Sequence, residues 1–83
     1  MNNCVIDIFV LERDRAVKSL DVADFRKFYE RWYKRGIYKL PLPDNDRVIE
    51  ITMRKMVLMM KNSTEQERKD AKVWLLKRGL SYD

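Results

Sequence analysis

Residues 25–39 read FRKFYERWYKRGIYK and hold the side chains best suited to do chemistry: aromatic rings interleaved with lysine and arginine. Rings stack on bases and cations hold phosphates, so this mixture is what a single-stranded nucleic-acid surface requires. The run carries six basic residues against one acidic. The rest of the chemical inventory is thin. The chain has no histidine, which removes the commonest acid–base group and every Ser–His or Cys–His pair. One cysteine, Cys4, without histidine excludes the usual structural zinc sites. Its apolar surroundings point to an inert core thiol. Asp44, Asp46 and Glu50 lack the further acid and the central glycine of a calcium loop, and helix capping explains Asp44 or Asp46 more simply. Gly36 and Gly79 both fit helix stops rather than a phosphate-binding loop. No enzymatic activity, cofactor or metal is expected.

The elements that position these residues are marked by caps and breakers. Asp21 caps a helix with Asp24 in its first turn, and Gly36 ends it, giving a helix over 22–35. The two prolines in IYKLPLP make an extended connector, with Ile37, Leu40 and Leu42 expected on the core. Asp44 or Asp46 then caps a helix over about 47–61. Ser63 or Thr64 caps the last helix, 65–78, and Ser63 with Gln66 fits a capping box. The N-terminal segment, about 4–18, is ambiguous. Its β-branched residues suit a strand, but no strong partner strand exists, and Ile6, Phe9, Val10, Val17 and Leu20 share one helical face. The fold class is all-α: a small single-domain bundle over 1–83, with three helices plus an N-terminal segment read as helix, strand being the alternative.

Placed on a helix, the aromatic–basic run separates. Val22, Phe25, Phe28, Tyr29, Trp32 and Tyr33 fall within an arc of about 140°, and the charges fill the remainder. The rings are expected to form core, leaving Lys27, Arg31 and Lys34, flanked by Arg35 and Lys39, as a basic outer patch. Arg54 and Lys55 extend the set of candidate partner- or phosphate-binding cations. The helix over 47–61 is apolar around most of its circumference. That pattern belongs to a central core helix, but Met53, Met56, Val57, Met59 and Met60 also suit an adaptable interface, for a partner protein or for a homodimer through this helix. A helix-turn-helix reading of DNA is set aside, because Glu65, Gln66 and Glu67 at the start of the last helix would oppose phosphates.

The net charge of +5 favours anionic partners of either class. The longest uncharged apolar stretches, 8–11 and 56–60, are too short to span a bilayer. Asp7 interrupts the N-terminal apolar run, against a secretory signal, and a lone cysteine fits a reducing compartment. The expectation is a cytoplasmic, basic, non-enzymatic binding protein: a regulator or inhibitor acting by protein–protein contact, of phage- or plasmid-accessory type by analogy. The alternative is a nucleic-acid binder making sequence-independent phosphate contacts through a basic helix face.

Overall fold

Four helices follow one another in the computed structural model, which describes residues 3–81, with side chains from Val5 onward. They are α1 (Asn3–Ser19), α2 (Val22–Lys34), α3 (Asp46–Met59) and α4 (Glu65–Lys77). The N-terminal segment is therefore helix, and no strand occurs among the described residues. The expectation of a buried Cys4 thiol concerns a side chain outside the described residues. α3 is the hub, packing against each of the other three helices; α1 also packs on α2, and α4 packs on α3, with Lys18 of α1 reaching Glu67 of α4 at 3.3 Å.

Local chemistry sets each boundary. Asp21 caps α2 by accepting a hydrogen bond from the Ala23 amide at 2.8 Å. Past the helix, Gly36 adopts φ +86°, a conformation open to glycine at no steric cost. The α3 cap differs from expectation. Asn45, between the two aspartates, accepts from the amides of Arg47 and Val48. Asp46 instead pairs with Arg26 of α2 at 2.6 Å, with Asp44 on the same guanidinium at 3.9 Å. The carboxylates brace the connector against α2, and the neutral amide does the capping.

The α4 cap is also displaced by one residue from the Ser63–Gln66 box. Thr64 and Glu67 form the reciprocal pair, with Thr64 N donating to Glu67 at 2.7 Å and Glu67 N to the Thr64 hydroxyl at 3.1 Å. Ser63 is buried, and its hydroxyl donates to the Val57 carbonyl at 2.6 Å. A hydroxyl turned into the open carbonyl end of α3 satisfies an orphan acceptor there, and so cannot cap the helix that follows.

The core gathers Ala16 and Val17 of α1, Phe25, Phe28 and Trp32 of α2, Ile49, Met53 and Val57 of α3, Met60 just beyond it, and Ala71 of α4. Leu75 of α4 is fully buried as well. Phe9 meets Phe28 and Trp32 at ring centroid distances of 5.7 and 5.2 Å. The inner stripe of α2 is thus core, with Tyr29 half-buried and Tyr33 exposed at its edge. In the connector the expected packing reverses. Tyr38, not Ile37 or Leu40, turns inward, stacking on Tyr29 at 4.0 Å while the Tyr29 hydroxyl donates to the Leu40 carbonyl at 2.7 Å. Ile37 and Leu40 are left exposed and only Leu42 is half-buried. Burial raises the pKa of the Tyr38 phenol, Tyr29 adds to the rise, and the Arg13 charge opposes it.

Candidate interaction surfaces

α1 does not bury the face its spacing defines. Phe9, Ala16 and Val17 lie on the side turned to the bundle, and helical spacing puts Val5 and Ile6 on that same side. Yet Val5 and Ile6 are 47% and 54% exposed, because among the described residues core packing on α1 begins at Phe9. Ile8 and Leu11, on the far side, are 49% and 58% exposed. Residues 5–11 therefore carry exposed aliphatic side chains on more than one side of α1, with Asp7 as their one charge. Leu20, assigned by spacing to the buried face, is exposed too. It sits in the α1–α2 turn at φ +57°, where the helix has ended and its periodicity no longer applies.

The seven candidate cations do not form one patch. Lys27 and Arg31 line a groove between α1 and α2 together with Arg15, but Glu12 and Asp24 line it too. Arg31 is paired with Glu12 at 2.9 Å, and the same carboxylate oxygen accepts the Trp32 indole N–H at 3.1 Å. Lys34 pairs with Glu30 one turn back at 3.1 Å, and Arg35 lies over the Trp32 ring at 5.0 Å. Lys27, Lys39 and Lys55 are exposed and have no ion pair among the described residues. Arg54 is elsewhere, at the α3–α4 side of the molecule.

The five residues proposed as an apolar interface divide likewise. Met53, Val57 and Met60 are buried at 1%, 4% and 7% exposure, Met56 is half-buried, and Met59 is 80% exposed. The fold turns three of the five inward, because α3 is the hub on which the other helices close. Only Met59 projects fully, so the interface drawn from helical spacing is not a continuous surface.

A cluster that sequence reasoning did not assemble lies between α3 and α4. Trp74 is half-buried, with the Arg78 guanidinium 3.9 Å and the Arg54 guanidinium 4.9 Å from its ring. Arg78 also donates to the Trp74 carbonyl at 3.1 Å. Lys69, Asp70 and Lys77 complete an open groove of about 400 Å³. Burial lowers the pKa of Arg54; Glu50 and Asp70 push it back up, and the Arg78 charge lowers it further. The i,i+4 spacing of Lys69, Val73 and Lys77, and of Asp70, Trp74 and Arg78, was the local signal for this cluster; only Arg54 comes from α3.

Among the described residues no group of three or more histidine, cysteine or acidic side chains is placed to hold a metal ion. No helix among them is long and apolar enough to cross a membrane. Searches against known protein families, curated proteins and solved structures find no match to this chain.

Proposed function

We propose that this is a non-catalytic binding protein, a regulator or inhibitor, that acts by seating residues 5–11 of α1 in an apolar groove of another protein. The observation that carries this reading is the exposure of Val5, Ile6, Ile8 and Leu11 on several sides of one stretch of α1, with Asp7 its only charge. A helix of that pattern is normally covered all round, and contiguous exposed apolar surface marks interaction sites. An amphipathic or apolar helix laid in a groove is a common mode of protein recognition. The excess of positive charge, +5 overall, favours a partner whose surface is acidic around that groove and speeds the encounter. A lone cysteine fits action in the cytoplasm.

The test is site-specific photo-crosslinking in cells that make the protein. A photoreactive amino acid replacing Ile8 is expected to give one discrete adduct, and the same group replacing Thr52, on the exposed side of α3, to give none. An adduct of twice the chain mass would identify the partner as a second copy. Absence of any adduct at residue 8, with the variant folded, would overturn the proposal.

A further inference from the structure

On α2 the aromatics and cations occupy opposite sides, which removes that helix as a stacking surface. The α3–α4 groove brings the two kinds of side chain together in one place. Its wall holds one indole, Trp74, and four cations, Arg54, Lys69, Lys77 and Arg78, against a single acid, Asp70. None of those four cations has an ion pair among the described residues. Asp70 is itself engaged, accepting from Gln66 at 2.8 Å. Four positive charges outnumber the two carboxylates that act on them, Asp70 in the groove and Glu50 one turn before Arg54, and an anion in the groove relieves the remaining repulsion.

From this juxtaposition we infer that the α3–α4 groove is a binding site for the phosphate backbone of single-stranded nucleic acid. The two guanidiniums are restrained before any ligand arrives, Arg78 by both the Trp74 ring and its carbonyl, and Arg54 by the ring and by its half-buried position. A restrained planar fork loses little rotamer freedom on binding and matches phosphate oxygens two at a time. Lys69 and Lys77 are exposed and act as flexible point charges along the groove. The guanidinium that the Trp74 ring holds in place favours a single strand over a duplex, because an unstacked base has a free face to lay against that plane, whereas paired bases do not. The site is separate from the α1 overhang, so it stands or falls independently of the protein contact proposed above.

The experiment is fluorescence anisotropy on the intact chain over a salt series, with labelled oligo(dT) and oligo(U) of about 20 nucleotides, a duplex of the same length and polyglutamate as probes. Three or four phosphate contacts predict a log–log salt slope of roughly −2 to −3 for the single strands. Lys69→Gln with Lys77→Gln, both on exposed positions, is expected to reduce that slope by about 1.4 and weaken low-salt binding about tenfold. Arg78→Gln is expected to act in the same direction, with circular dichroism to show that it remains folded. Lys27→Gln with Lys39→Gln removes the same net charge from the other side of the molecule and is expected to leave the slope unchanged. No single-strand binding at low salt, tighter binding of the duplex, equal binding of polyglutamate, or an equal loss in the Lys27–Lys39 variant would each overturn the inference.

Discussion

The Glu12 carboxylate has two tasks at one oxygen, and separating them makes a quantitative test of how the α1–α2 pair is held. Its Oε1 accepts from Arg31 at 2.9 Å and from the Trp32 indole at 3.1 Å. The two donors differ sharply in setting. Trp32 is 1% exposed, whereas the Arg31 side chain is 60% exposed. Removing Arg31 gives up an exposed ion pair, worth about 0.2–1 kcal/mol. Removing Glu12 gives up that pair and also leaves a buried N–H without an acceptor, which costs about 1–3 kcal/mol. Arg31→Ala should therefore cost well under 1 kcal/mol, and Glu12→Ala roughly 2 kcal/mol. In a chain of this size that larger loss lowers Tm by about 10 °C. Glu12→Gln keeps an acceptor oxygen while losing the charge, and is expected to fall between the two. Urea and thermal unfolding followed by circular dichroism at fixed salt would read all three. If Glu12→Ala and Arg31→Ala destabilise equally within about 0.5 kcal/mol, the indole hydrogen bond contributes nothing, and the reasoning from burial to cost is wrong.

Further expectations follow from single residues. Gly36 has φ +86° with no atom within 4 Å of where a Cβ would sit, so Gly36→Ala should cost about 1–2 kcal/mol from backbone strain alone, read by urea unfolding. Met53→Ala should cost about 2–5 kcal/mol, as a cavity in the core, while Met59→Ala, at 80% exposure, should stay within about 0.5 kcal/mol of the parent chain. The Glu67 carboxyl is held below its usual range first by the hydrogen bond from the Thr64 amide; burial opposes this, and Lys18 and the Thr64 hydroxyl add to the lowering. Because folding lowers that pKa, its stabilisation is complete above the ordinary carboxylate range and is lost as pH falls through it and below. Acid unfolding curves of Glu67→Gln should therefore be flatter than those of the parent chain across that window.

The residues that cap and break helices could be interpreted without the fold. Asp21, Gly36, Thr64 and Gly79 act on neighbours within a few positions, so their meaning is local. Even there, local reasoning named the wrong residues at the start of α3 and left two open at the start of α4. Asn45 caps α3 because its aspartate neighbours are drawn to Arg26, and Thr64 caps α4 because Ser63 turns into the end of α3. The candidate surfaces were far less legible. Arg31 read as a free cation until the fold set Glu12 beside it, nineteen positions away in the chain. The apolar start of α1 was assigned to the core by its spacing, and spacing holds no information on where the body of the bundle ends.

By itself, then, the sequence determined the three helices after residue 20, their approximate breakpoints, the inner stripe of α2 and the absence of histidine chemistry, since each depends on residue type or on contacts within about one helical turn. Tertiary structure decided which side chains are covered and which charges are already paired. It turned Met53, Val57 and Met60 inward, bound Arg31 to Glu12, left Val5, Ile6 and Ile8 of α1 exposed, and brought Arg54 to Trp74 from twenty residues away. Those outcomes depend on how helices pack across the bundle, and a pattern that repeats every 3.6 residues along one helix does not specify what stands opposite it.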